Sequence, residues 1–257
     1  GSNRNDNHTQ WINQCNLWRK KYPVVLDSYY KFQDKTNVYA FIKELSHSVP
    51  ENHIIVVGNG SACVVGSQAF EIKKGQRFII NSGAASMGYD LPAAIGACIA
   101  NDKSEVLCIT GDGSIQMNIQ ELQTIITNKL PIKTLIINNN GYHSIRQTQK
   151  NFFQNSLVGI GYDSGDLSFP NFKKIATAYG FKYFSCKNMN QLKSFVKMVN
   201  SHNGSLIGEI FVDTIQAFEP KSGTKKLPDG SLVSSPLENL FPFLSDEELA
   251  ENMFIKP

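Results

Sequence analysis

One carboxylate stands between two glycines in Gly111-Asp112-Gly113, and three asparagines, Asn138-Asn139-Asn140, precede Gly141-Tyr142. From Asp112 to Asn139 is 27 positions (139 − 112). Each motif follows a run of β-branched and apolar residues, "EVLCIT" and "IKTLII". Such runs read as buried parallel strands, and in an open parallel sheet ligands collect beyond the carboxyl ends of the strands. An acid, a carboxamide and a peptide carbonyl are oxygen donors for a hard cation such as magnesium. That ion takes few protein ligands and fills its shell with phosphate oxygens and water. The helix expected from about Ile115 to Asn128 would aim its free N–H groups and positive dipole end at the same crevice. Gly111 and Gly113 let backbone approach closely, and Ser114 can cap that helix or donate to a phosphate oxygen. The pattern points to a magnesium ion at Asp112 and Asn139 that in turn holds a diphosphate. Alone, either motif is equally a polar turn; the pair, in strand–helix–strand order, carries the inference.

The elements that must position these residues read as an alternation. "YAFIKELSHSV" has helical apolar spacing, "HIIVVGNG" and "RFIINSG" read as short buried strands, and "MGYDLPAAIGACIA" as a tightly packed small-residue helix. Beyond the asparagines, "PNFKKIATAYG" and "MNQLKSFVKMVN" read as helices, and "FKYFSC" and "LIGEIFVD" as strands. The expected fold class is α/β: a doubly wound parallel sheet in three αβα layers, with an N-terminal connector and an extended C-terminal tail. Residues 1–36 are assigned to the connector, with a helix stopping before Pro23. Residues 37–215 form the α/β domain, and 216–257, rich in Pro, Gly and Ser, the tail. Gly1-Ser2 reads as a cloning scar.

Composition excludes several classes. The net charge of +3, from 25 basic and 22 acidic residues mixed along the chain, gives no argument for nucleic acid. No apolar run reaches the length of a membrane span. Five scattered cysteines in apolar runs fit buried thiols of a cytoplasmic protein, and the five histidines show no zinc-ligand spacing. "GNGSAC" from Gly58 lacks the third glycine of a dinucleotide fingerprint and is set aside.

Gly-Asp-Gly followed at this distance by Asn-Asn at a strand end resembles the signature of the thiamine diphosphate-dependent enzymes. The resemblance implies that Asp112, Asn139 and the backbone oxygen of Gly141 bind magnesium. "INSGAASMGYDLPAAIGACIA" is similar to the acetolactate synthase, pyruvate oxidase and glyoxylate carboligase branch. By that resemblance the Ala85 carbonyl accepts from the cofactor's pyrimidine amino group, and the Met87 side chain bends the cofactor. Glycine is usual at the first of these positions, but the role needs only a carbonyl. In "NGYHSIRQTQ", Tyr142, His143, Ser144 and Ile145 would line the diphosphate and the reactive centre. His143, at what reads as an exposed turn, is either an acid/base or a phosphate-side or solvent histidine. Biosynthetic acetolactate synthases carry Gln-Trp-Gln where this chain has Gln147-Thr148-Gln149, which argues against branched-chain amino-acid synthesis. Glu121 is in a position that often orients groups behind the site.

The resemblance covers roughly residues 10–257, the C-terminal portion of enzymes at least twice as long. It implies a separate pyrimidine-binding domain, absent from this chain, that supplies a catalytic glutamate from a partner subunit. The full-length protein would be a homodimer or homotetramer, and the isolated chain would lack turnover. The implied reaction is decarboxylation of a 2-keto acid, with pyruvate the first choice, and transfer of the acyl unit to an acceptor carbonyl. The tail resembles proteins found with surface-polysaccharide genes, which makes a sugar carbonyl one acceptor to consider. Three alternatives stand beside it: a simple decarboxylase or an oxidase, whose FAD domain would lie outside this chain; the natural subunit of a two-chain enzyme; and a non-catalytic module that keeps only the fold.

Overall fold

The computed structural model describes residues 3–32, 34–226 and 229–253; Gly1-Ser2 and the Leu227-Pro228 step of the tail lie outside these. The chain divides into two compact units, Gly1–Gln216 and Ala217–Pro257.

The first unit is built on six parallel strands. They are β1 (Ile54–Val57), β2 (Arg77–Ile80), β3 (Val106–Gly111), β4 (Ile132–Asn138), β5 (Lys182–Cys186) and β6 (Leu206–Phe211), in the order β2-β1-β3-β4-β6-β5. The largely exposed α1 (Asn3–Lys21) precedes them, and helices flank the sheet as expected for three layers: α2 (Val38–Ser48), α3 (Ser61–Ala69), α4 (Asp90–Ala100), α5 (Glu121–Thr127), α6 (His143–Phe152), α7 (Phe172–Tyr179) and α8 (Met189–Ser201). The central strands β1, β3 and β4 are buried along almost their whole length, which is why they read as unbroken apolar runs. Small residues of α4 let it lie close to the sheet. Leu91, Ala94, Ile95 and Cys98 share one apolar cluster with Val56, Val106 and Cys108 of the strands and Leu122 of α5. Asn37 starts α2 by accepting from the N–H groups of Tyr39 (2.9 Å) and Ala40 (3.1 Å). Gly180, at φ 80°, stops α7.

The progression of strands reverses between β1 and β3, and that reversal opens a crevice at their carboxyl ends. The stretch 61–69, set aside with its motif, is a helix, and two local expectations fail here. The helix expected from Ile115 to Asn128 is instead a single 3-10 turn, Ile115–Asn118, followed by the short α5. The segment after the asparagines is not an exposed turn, because His143 begins α6 and is buried.

The second unit pairs β7 (Thr224–Lys226) with β8 (Leu232–Ser234) antiparallel and ends in α9 (Asp246–Asn252). Ser245 caps α9, its Oγ accepting from the Glu248 N–H at 3.2 Å. Among the described residues no helix is long and apolar enough to cross a membrane. The five cysteines are free.

Candidate functional site

A cleft of about 400 Å³ opens at the carboxyl ends of β1, β3 and β4. That is the size of a small-molecule site. Every residue nominated from the sequence for the metal or the cofactor lines it. Ala85 and Met87 come from the segment before α4, Gly111, Asp112, Gly113 and Ser114 from the end of β3, Asn139 and Gly141 from the turn after β4, and Tyr142, His143, Ser144 and Ile145 from the start of α6. Asn59, Gly60 and Ser61 line it too. They belong to the stretch set aside for its missing glycine; its position at the end of a buried strand was the signal to weigh.

Asp112 is 1% exposed. Its Oδ1 accepts from the Gly113 N–H and its Oδ2 from the Gly141 N–H, both at 2.9 Å. Burial nevertheless outweighs these bonds and the nearby Arg146 charge, and pushes the carboxyl up to about 7. Asn139 donates from Nδ2 to Ser61 Oγ at 3.1 Å, while its Oδ1 is buried with no hydrogen-bond partner. An orphaned buried acceptor costs about 1–3 kcal/mol. A buried acid with a raised pKa beside an unsatisfied amide oxygen is a donor set that a divalent cation would complete. Among the described residues there is no cluster of three His, Cys, Asp or Glu side chains that offers a rival centre.

The turn carrying Asn139 is held from two sides. Asn140 has φ 57° and Gly141 φ 131°, and a Cβ on Gly141 would collide with the Ile160 carbonyl oxygen. Only glycine fits there. Beneath the turn the fully buried Arg146 donates to the carbonyls of Asn139 (3.1 Å) and Asn140 (3.0 Å), and its Nε lies 2.9 Å from Asp163 Oδ2. Nothing in the sequence distinguished Arg146 from the surface charges of the same helix.

The starts of α3 and α6, at Gly60-Ser61 and Tyr142-His143, line the cleft. These two helices supply the positive ends that the sequence had assigned to the helix after Gly113. Ser114 caps nothing. Its Oγ accepts from the Gly88 N–H (2.9 Å) and donates to Asp90 Oδ2 (2.7 Å), which also accepts from Thr110 Oγ1 at 2.8 Å. The fully buried Asp90 thus ties the Met87 segment to the Asp112 turn, a link the sequence did not announce. Desolvation raises its pKa, against the pull of those hydroxyls.

His143 is 6% exposed, and burial lowers its pKa. Its Nδ1 lies 3.2 Å from Arg146 Nη1, which can only donate, so Nδ1 accepts. Nε2 lies 2.9 Å from the Gln216 carbonyl and 2.7 Å from the side-chain amide of Gln147, and both hold the ring. Ala85 adopts φ 48°, a conformation that explains why glycine is usual at this position. Its carbonyl accepts from Asn59 Nδ2 and keeps a second lone pair. Met87 and Ile145, 42% and 46% exposed, present apolar surface at the cleft. Glu121, on α5, accepts instead from Thr124 Oγ1 at 2.8 Å.

A parallel sheet with a buried acid and amide beside a cleft at its switch point defines a class of cofactor-binding α/β domain, and the family comparison names it. Residues 58–210 match the model described as "Thiamine pyrophosphate enzyme, C-terminal TPP binding domain", and the chain belongs to that family. Within it, the chain is similar to acetolactate synthase large subunits. It is 33% identical to the large subunit of Cyanidium caldarium over 85% of this chain and 36% of the relative. It is 29% identical to the isozyme 1 large subunit of Escherichia coli over 73% of this chain and 33% of the relative. It is 32% identical to the mitochondrial catalytic subunit of Saccharomyces cerevisiae over 80% and 29% respectively. The chain spans about a third of the length of these relatives.

Proposed function

We propose that this chain is the diphosphate- and magnesium-binding part of a thiamine diphosphate-dependent enzyme that decarboxylates a 2-keto acid, pyruvate first, and transfers the acyl unit to an acceptor carbonyl. The buried, unpartnered Oδ1 of Asn139 beside the buried carboxyl of Asp112 is the observation that carries the reading. Asp112, Asn139 and the Gly141 carbonyl hold magnesium, and the helix starts of α3 and α6 receive the diphosphate. The Ala85 carbonyl and Met87 orient the pyrimidine end, and Met87 with Ile145 keeps water from the reacting face. Bound there, thiamine diphosphate supplies the electron sink for decarboxylation. With its ring held by Arg146, Gln147 and Gln216, His143 serves as a wall that fixes the start of α6. A glutamate on another domain completes the site, so the isolated chain binds without turning over. The full-length protein works in the cytoplasm as a homodimer or homotetramer in which subunits share sites.

Calorimetric titration with thiamine diphosphate, with magnesium and then with chelator, tests the binding half. Magnesium-dependent binding supports the reading; binding indifferent to magnesium refutes the metal assignment. On the full-length protein, a condensed hydroxyketone from pyruvate supports acyl transfer, whereas acetaldehyde or peroxide alone indicates a decarboxylase or an oxidase.

A further inference from the structure

Behind the Asn139 turn, on the neighbouring strand, sits a carboxylate that the proposed site does not use. Glu209 lies within β6 and is 4% exposed. Its Oε1 accepts from Asn138 Nδ2 at 2.6 Å, and its Oε2 accepts from the Tyr183 hydroxyl of β5. Burial and the Glu209 carboxylate raise the Tyr183 phenol, which therefore stays a donor. Asn138 passes the constraint forward, because its Oδ1 accepts from the Asn140 N–H at 3.0 Å. That bond closes a turn of the kind asparagine side chains form two residues ahead.

We propose that Glu209 is a positioning residue whose grip on Asn138 presets the Asn138–Gly141 turn and so aims Asn139 at the metal. The chemistry leaves one arrangement. A carboxylate only accepts, so it selects the NH2 end of the Asn138 amide and forces the oxygen toward the Asn140 N–H. Without that choice the amide is free to flip, which would set its NH2 group against the Asn140 N–H. The backbone holds the other side: the Val212 N–H donates to the Asn138 carbonyl at 2.9 Å. Asn138 is thus gripped through both its side chain and its carbonyl, and the residue that follows it is the one with the unsatisfied oxygen. As to the metal, the inference rests on the cofactor reading above; as to the turn, it stands on hydrogen bonds alone.

The test is an exchange of polarity. In Glu209→Leu, the side chain offers no acceptor, and both Asn138 and Tyr183 lose their partner. In the double variant Asn138→Asp with Glu209→Gln, every bond can re-form, the one between the two side chains with its direction reversed. The new amide at position 209 then donates to the new carboxylate at position 138. The second oxygen of that carboxylate accepts from the Asn140 N–H, and Tyr183 donates to the amide oxygen at 209. Without ligand, resolved NMR signals of the residue 138 side chain and the Asn140 N–H report the turn. Solvent exchange at Asn140 should quicken about tenfold in Glu209→Leu and return in the double variant. With magnesium and thiamine diphosphate, affinity should fall about tenfold in the single variant and recover to within about threefold in the double. Unchanged Asn140 exchange in Glu209→Leu, or no recovery in the double variant, overturns the proposal. So does quickened exchange with unaltered affinity in a chain that binds. Should Glu209→Leu fail to fold, Asn138→Asp alone, which sets two carboxylates face to face, must behave worse than the double variant. A wild-type chain that binds neither metal nor cofactor defeats the functional reading, while the exchange data still decide the turn.

Discussion

The Oδ2 atom of Asp112 accepts a 2.9 Å hydrogen bond from the backbone N–H of Gly141, joining the end of β3 to the turn after β4. With the second bond from Gly113, both carboxylate oxygens face N–H donors before any cation arrives. The acid is therefore held in one rotamer, and binding need not order it.

Asp112→Asn puts an NH2 group against one of those two N–H donors and removes the charge. Magnesium-dependent thiamine diphosphate binding should weaken by more than about 100-fold, beyond the range usual for groups that only orient a ligand. Calorimetry at fixed magnesium reads the loss. Affinity within about threefold of wild type would remove Asp112 from the metal site.

The same carboxyl sets a pH dependence. Burial raises its pKa from the ordinary 3.8 to about 7, so the metal-free fold favours the protonated acid. That contribution is fully present below the ordinary value and is lost as pH rises through about 7. In chelator, wild type should lose thermal stability relative to Asp112→Asn between about pH 4 and pH 7. Saturating magnesium should reverse the sign, because the metal binds the deprotonated form and releases its proton. Unfolding curves of the two proteins at matched pH give the difference directly. A difference that does not change with pH would show that Asp112 titrates normally.

Gly113 is constrained by a neighbour more than by its own conformation. A Cβ there would strike the ring of Tyr142, which also packs edge-on against Phe169 at 5.6 Å between centroids. Gly113→Ala should cost about 1–3 kcal/mol as an overpacked contact. In a Tyr142→Ala background the ring is gone, and the same change should cost less than about 1 kcal/mol. Urea unfolding of the four proteins measures the coupling. Equal costs in both backgrounds would mean that something other than the ring excludes a side chain at 113.

The strands and the cleft were legible in the sequence for one reason: buried parallel strands are continuous apolar runs, and their carboxyl ends are where ligands gather. Asp112 and Asn139 therefore declared themselves. The helix at 61–69 did not, because "SACVVGSQA" mixes β-branched residues with glycine and serine. Its buried positions, Ala62, Val65, Gly66 and Ala69, do follow helical spacing, so the signal was present but faint. The break after Gly113 was hidden because Ser114 looks like a cap until its hydroxyl is seen bonded to Asp90, 24 positions earlier. His143 read as exposed because the chain that buries it, at Gln216, lies far along the sequence. Long-range polar partners leave no periodic trace, and most of what supports the site is of that kind.

Arg146 is the strongest instance and gives the last prediction. A guanidinium can serve two carbonyls, an imidazole nitrogen and a carboxylate at once because its five N–H donors lie in a rigid plane. Arg146 does so at Asn139, Asn140, His143 and Asp163. Arg146→Met fills most of the volume but leaves the two carbonyls without donors, and should destabilise the fold by about 2–4 kcal/mol. Arg146→Lys retains the charge as a single point that cannot reach both carbonyls. It should stay folded with a smaller loss, yet weaken magnesium-dependent binding by about 10-fold or more because the Asn139 turn is no longer fixed. Urea unfolding and calorimetry on both variants separate the two effects. If Lys restored binding fully, charge alone would suffice beneath the turn, and the planar fork would be dispensable.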